Sequence, residues 1–141
     1  MSPAPLADLP LWKQTFIKNV RKCIDWYKTH PRCMNGDRCV YFNGDHDNPN
    51  YCAFGICIGP DLARKFEPNG GSAPHLIPYP EIQKQLNLTG LSKAEMALAT
   101  QAYRQLQTWH DHGDNFSEIG NLLGLSLADY GIPSEPPAPR S

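Results

Sequence analysis

Three of the five cysteines and four aromatic residues fall within residues 39–60, and a histidine and an aspartate stand next to each other at His110-Asp111. A cysteine thiolate is a strong nucleophile, and an imidazole oriented by a carboxylate can serve as its base. Cys52 comes before His110 and Asp111 along the chain, which is an order that cysteine hydrolases use. The sequence therefore contains one candidate catalytic set, Cys52 with His110 and Asp111.

These residues also have a purely structural interpretation. Adjacent residues on one helix rarely converge on a single imidazole, so Asp111 is more typical of a C-terminal turn residue than of an orienting carboxylate. Free cysteine is among the most buried residue types, and a buried His110 bonded to a backbone carbonyl would need no catalytic role. We therefore expect a protein that is not an enzyme, and a cysteine-dependent hydrolase is the alternative.

A zinc site is a further alternative, because Cys33, Cys39, Cys52 and Cys57 could supply four sulfur ligands. Structural zinc sites usually pair ligands two to four residues apart, and neither spacing here is tight: five residues separate Cys33 from Cys39, and four separate Cys52 from Cys57. If residues 51–58 form a strand, Cys52 and Cys57 point to opposite faces. A small zinc-binding domain is thus a weaker hypothesis than a protein without a metal, and we expect neither a metal nor a cofactor.

The elements that must position these residues are mainly helices. Residues 9–29 carry apolar side chains on one helical face, and Ser92 begins a second apolar stripe that reaches His110. Between them, Arg38 to Phe42 has the pattern of a short strand followed by a polar turn. Residues 51–58 are apolar on every side, so periodicity favours neither a hairpin arm nor a short buried helix. We predict a helix-dominated α+β domain with a small β-hairpin or strand-helix unit.

In the remaining segments, Gly and Pro residues mark where helices and loops should begin and end. Residues 68–80 are rich in Gly and Pro and predict a surface loop, after which Pro80 opens a short helix. A further helix should end at Leu123, before Gly124. Four prolines in residues 133–141 predict a flexible tail, so a single globular domain should span residues 1–132.

Charge is distributed unevenly along the chain. Residues 1–40 carry seven Lys and Arg against three Asp and Glu, whereas residues 41–141 carry six against eleven. The basic residues of the first helix could contact phosphate or an acidic partner, although such charges usually form a solvated face. The apolar runs are too short to cross a bilayer, and nothing near the N-terminus resembles a secretion signal. We expect reduced thiols, a cytoplasmic location, and no bulk binding of nucleic acid or membrane.

Three short motifs carry a resemblance to a known group of proteins. They are Cys39-x-Tyr41, Cys52-Ala-x-Gly55 and Leu106-Gln107-x-x-His110-Asp111. The chain resembles, over residues 10–125, a recurrent group of small bacteriophage and prophage proteins of uncharacterised function. The resemblance implies a leading helix, a Cys-x-Tyr strand, a short hydrophobic element and a helix that ends in the His-Asp pair. Its motifs include Cys39, Cys52, His110 and Asp111, but not Cys33 or Cys57.

A small phage-type protein without a complete catalytic set suits an accessory factor that acts by binding. The expected partner is a host protein, as in countering host defence, or a small nucleotide-like ligand. Aromatic residues such as Tyr41 and Phe54 could stack on a base, with Arg38 near a phosphate. The predicted ligand-binding residues are Arg38, Cys39, Tyr41, Cys52, Gly55, His110 and Asp111. In phage-infected cells the location would be the host cytoplasm.

Overall fold

Two long helices, α1 (Leu11–Tyr27) and α6 (Lys93–His112), frame the protein. The computed structural model describes residues 4–31, 34–35, 38–39, 42–43, 50–66, 73–113, 116–133, 136–137 and 139. For those of these residues that fall between 34 and 50, and for residues 73 and 74, the structure describes the backbone but not the side chains. Both long helices coincide with the two apolar stripes of the sequence, so their position follows from hydrophobic periodicity.

The facing sides of α1 and α6 carry large apolar side chains and two polar links. Trp12 Nε1 donates a hydrogen bond to Glu95 Oε2 at 2.8 Å, and Asn19 Nδ2 donates to the buried Tyr103 hydroxyl at 3.1 Å. The α6 helix begins at a capping residue, Ser92, whose hydroxyl accepts a hydrogen bond from the Glu95 amide. These contacts fix α1 against α6 over most of its length.

A six-residue helix, α2 (Ala53–Ile58), lies between the two long helices. Five of its six residues are buried, and it packs against both α1 and α6. The ring of Phe54 meets that of Tyr103 edge to face, with 5.7 Å between their centroids, and Tyr103 also contacts Phe16 of α1. Gly59, with a φ of 90°, ends α2 and lets the next helix begin at once.

Shorter helices complete the described part of the chain. Three of them connect α2 to α6, one follows α6, and 3₁₀ turns occur at Leu6–Asp8 and Leu127–Tyr130. The helices are α3 (Pro60–Phe66), α4 (Ala73–Leu76), α5 (Pro80–Gln85) and α7 (Phe116–Leu123). The α4 helix falls inside the stretch predicted to be an irregular loop. Pro80 stands at the start of α5, as the sequence predicts.

The predicted α+β class is wrong, because helices form the described body of the protein. Within the described residues, strand pairing is limited to two isolated antiparallel pairs of two residues each, which are too short to form a β-hairpin unit or a sheet that helices could cover. The pairs are β1 (Met34–Asn35) with β2 (Arg38–Cys39), and β3 (Phe42–Asn43) with β4 (Asn50–Tyr51). Residues 53–58, where the sequence leaves a strand and a helix open, form α2.

The C-terminal segment follows the surface formed by α1 and α6. Arg21 donates a hydrogen bond to the carbonyl of Tyr130, and Trp109 Nε1 donates to the carbonyl of Pro136 at 3.3 Å. Pro136 is buried, although it belongs to the segment predicted to be flexible. Among the helices of the described residues, none has both the length and the apolar content needed to cross a membrane.

Candidate functional site

A hydrogen-bond network joins the start of α2 to the end of α6. Gln107 Oε1 accepts a hydrogen bond from the backbone amide of Phe54 at 3.0 Å, and Gln107 Nε2 donates to Asp111 Oδ1 at 2.8 Å. Asp111 Oδ1 lies 2.6 Å from His110 Nδ1. We call this network, made by the Phe54 amide and the side chains of Gln107, His110 and Asp111, the clamp. It holds α2 against α6 by direct polar contacts.

The clamp fixes the proton on the imidazole of His110. A carboxylate can only accept, so the proton shared with Asp111 lies on Nδ1. Gln107 Nε2 stands 3.3 Å from the same nitrogen, but two donors cannot bond each other, so this amide donates to Asp111 instead. The interpretation of Asp111 as only a turn residue is therefore wrong. Its carboxylate orients His110 through this contact, although the two residues are adjacent in α6.

Cys52 is the capping residue of α2. Its Sγ accepts a hydrogen bond from the Gly55 amide at 3.3 Å, and its carbonyl accepts from the Ile56 amide at 2.9 Å. Only 1% of Cys52 and none of His110 is exposed. The thiol thus takes the place that serine or aspartate usually fills at the start of a helix, in the interior of the protein.

Tyr27, at the end of α1, closes the network from the other side. Its ring lies 5.2 Å from the imidazole of His110 and 6.0 Å from the ring of Trp109, measured between centroids. Its hydroxyl donates to the carbonyl of Tyr51, the residue before Cys52. The C-terminal ends of α1 and α6 therefore both reach the start of α2.

A group of thiols lies beneath the same helix. Burial raises the pKa of the Cys57 thiol well above its ordinary value, and a hydrogen bond with Cys23 and the nearby Cys52 raise this pKa further. Cys23 Sγ also lies 3.5 Å from the carbonyl of Ala53. Burial likewise raises the pKa of the Tyr103 hydroxyl, with Cys57 adding to the effect and the bond from Asn19 opposing it. Burial therefore favours the protonated forms of the Cys57 thiol and the Tyr103 phenol.

Four of the seven predicted ligand-binding residues meet at the α2–α6 contact: Cys52, Gly55, His110 and Asp111. Tyr41 lies outside the described residues, and so do the side chains of Arg38 and Cys39. The sequence prediction omits Gln107 and Tyr27. The signal for Gln107 was its spacing of three and four residues from His110 and Asp111, which places all three on one helical face.

Metal binding at this network has little support from its residues. Within the described residues, no group of three or more His, Cys, Asp and Glu side chains is placed to hold a metal ion. Cys33 and the side chain of Cys39, two ligands of the zinc alternative, lie outside the described residues. Cys57 and Cys52 line the interior of the core beside α1, and the carboxylate of Asp111 is already shared by Gln107 and His110.

The network offers an oriented imidazole at the end of α6, and the start of α2 offers a buried thiol that caps that helix. A hydrolase would also need amide donors that are available to a developing oxyanion. The amides of Phe54, Gly55 and Ile56 all have acceptors within the protein. The geometry therefore favours a structural role for the clamp.

No protein-family model, curated protein or solved structure matches this chain. The resemblance to small phage proteins thus stays a prediction from its motifs.

The clamp predicts a specific loss of stability when Gln107 is replaced. In Gln107→Ala the buried Phe54 amide and the Asp111 carboxylate each lose a partner, so the free energy of unfolding should fall by about 1–3 kcal/mol. Urea denaturation followed by circular dichroism measures this change. Gln101→Ala is the matched control, since Gln101 is exposed on the same helix, and its effect should stay within about 0.5 kcal/mol. Equal stabilities of the two variants would contradict the clamp.

Proposed function

We propose that the protein acts by binding, as a small accessory protein of phage type that captures a host protein without catalysing a reaction. One observation carries the proposal: the outer side of α1 presents a row of exposed cations, while Cys52 and His110, the candidate nucleophile and base, are buried. We call the row, made of Lys18, Arg21, Lys22, Asp25 and Lys28, the cationic face. It contains four cations and a single carboxylate.

The spacing of the cationic face suits recognition of an extended acidic surface. Successive members lie three, one, three and three positions apart, so they stay on one side of α1 and its C-terminal cap over about 15 Å at a rise of 1.5 Å per residue. Fixed charges of one sign speed association with an oppositely charged partner and select against like-charged ones. The whole chain has a formal charge of −1, so this positive surface is local.

The support of α1 also favours a recognition role. Trp12 and Asn19 anchor its inner side to α6, and Lys13 Nζ donates to the carbonyl of Leu123 at 2.9 Å, at the end of α7. A surface on a helix held in this way loses little conformational entropy on binding. The rigid helix is a good platform for a protein partner.

The alternatives fit the geometry less well. A cysteine hydrolase would need Cys52 and His110 within reach of a substrate, but both are buried. A nucleotide-like ligand would need the predicted aromatic stack, yet Phe54 is 1% exposed and its ring packs on Tyr103. A host protein that meets the cationic face requires no rearrangement of the core. Such capture would take place in the host-cell cytoplasm, where countering a host defence is one role for it.

Thiol labelling distinguishes the binding protein from the hydrolase. We expect iodoacetamide at pH 7.5 to label Cys52 and Cys57 at least about 10-fold more slowly in the folded protein than in urea, because both thiols are buried and inaccessible to the reagent. Mass spectrometry of proteolytic peptides measures each site. The hydrolase predicts the opposite: rapid, selective labelling of Cys52 that slows in His110→Ala.

Affinity capture from bacterial lysates tests the binding function itself. The wild-type protein should retain a discrete host protein that about 0.5 M salt releases, since salt screens charge pairs at a surface. The Lys18→Glu/Lys22→Glu variant should lose it, whereas Lys84→Glu/Lys93→Glu should keep it. All four lysines are exposed and both variants change the net charge equally. Failure to retain any protein, or equal retention by both variants, would contradict the proposed function.

A further inference from the structure

A cleft beside the cationic face combines charge with an apolar surface. It has a volume of about 410 Å³ and lies where α1 meets α2, lined by Lys22, Asp25, Trp26, Thr29 and Ile56. We call it the Trp26 cleft. Lys22 and Asp25 belong to the cationic face, so the cleft opens directly beside the charged row. Trp26 and Ile56 are both half-buried, and they provide its apolar surface.

The side chain of Trp26 is held in place by its neighbours. Its ring stacks on that of His30 with 3.7 Å between centroids and 5° between planes, and it meets the ring of Tyr51 edge to face at 5.5 Å. His30 Nδ1 is in turn 2.9 Å from the Trp26 carbonyl. An aromatic wall that is already ordered can receive an apolar side chain with little loss of rotamer freedom.

We infer that the Trp26 cleft binds an acidic peptide segment of the partner protein, with one large apolar side chain placed between Trp26 and Ile56. Neighbouring carboxylates of the segment pair with Lys22 and with the cations on either side of it. This inference rests on the proposed function and deepens it, because it names the chemistry that the partner must present.

Asp25 is the feature that favours a peptide over a nucleic acid. Asp25 lies in the middle of the cationic face and also lines a second cleft of about 370 Å³, which it shares with Arg21 and Lys28. A carboxylate repels every anion, but a peptide can place a backbone amide donor opposite Asp25 and its carboxylates opposite the neighbouring cations, whereas a nucleic acid carries a phosphate at every nucleotide. The pairing of Asp25 with Lys28, at 3.2 Å, is exposed and can be exchanged at little cost. The mixture of charges therefore matches a peptide better than a phosphate chain.

Fluorescence anisotropy with synthetic peptides tests the inference. The probe is a fluorescein-labelled 12-residue peptide of Glu and Asp with one central Leu, and its partner has Ser in place of Leu. The Leu peptide should bind the full chain at least about 10-fold more tightly, since burying a leucine side chain contributes about 1.5–3 kcal/mol. Excess ATP or oligothymidylate should not displace it.

Variants locate the binding to the cleft. Lys22→Glu should weaken binding of the Leu peptide at least about 10-fold, because it places like charges together. Ile56→Ser should remove the preference for Leu over Ser. Lys84→Glu, an exposed lysine far along the sequence, should keep the affinity within about twofold. Thermal melting checks that each variant is folded, and Lys22→Glu tests the cleft even if Ile56→Ser is unstable.

Several outcomes would overturn the inference: no binding of either peptide, equal weakening by Lys22→Glu and Lys84→Glu, or displacement by oligothymidylate, which would indicate a nucleic-acid site. The proposed function can fail separately. If a host protein is captured through the cationic face but the acidic peptide does not bind, only the inference is wrong. If no host protein is captured, the proposed function is wrong.

Discussion

The architecture depends on one constraint: a short helix buried on nearly all sides must have its backbone amides paired inside the protein. Helix α2 has six residues, five of them buried, and the first amides of any helix have no partner within it. Cys52 supplies the acceptor for the Gly55 amide, and Gln107 of α6 supplies the acceptor for the Phe54 amide. Leaving the Phe54 amide unpaired would cost about 1–3 kcal/mol. The positions of Asp111 and His110 follow from holding Gln107 in place.

Because of this constraint, the buried polar residues have a structural role, and the residues available to a partner lie on the surface. The His110 imidazole and the Cys52 thiol resemble a catalytic pair in the sequence, but in the structure both are buried, Cys52 as the cap of α2 and His110 as the partner of Asp111 in the clamp. The same contact also places Ile56 of α2 beside Trp26 of α1, where the two side chains form the apolar surface of the Trp26 cleft. The buried network thus shapes an exposed site without entering it, which is why we place binding at the surface of α1.

The sequence predicts some of this structure well and some of it wrongly. The apolar stripes of α1 and α6 span several turns, so their periodicity predicts a helix and excludes a strand in both segments. Residues 53–58 are apolar all round, and a short segment of that kind is compatible with a strand or a helix until its neighbours are known. The α+β class was wrong because it rested on a strand from Arg38 to Phe42, and the described residues of that stretch form only two-residue pairs. Gln107 is an ordinary helix residue in the sequence, because its role appears only when the Phe54 amide lies opposite. The Trp26 cleft is lined by residues of two helices, so the sequence alone did not predict it either.

Amide hydrogen exchange at Phe54 tests the central claim most directly, because the claim concerns this one donor. If Gln107 holds the amide, exchange at Phe54 should be slow in the wild-type protein and about 5- to 150-fold faster in Gln107→Ala, which corresponds to about 1–3 kcal/mol. The amides in the middle of α1 should change much less. Equal exchange rates at Phe54 in the two proteins would show that the clamp does not hold α2, and the account would be wrong.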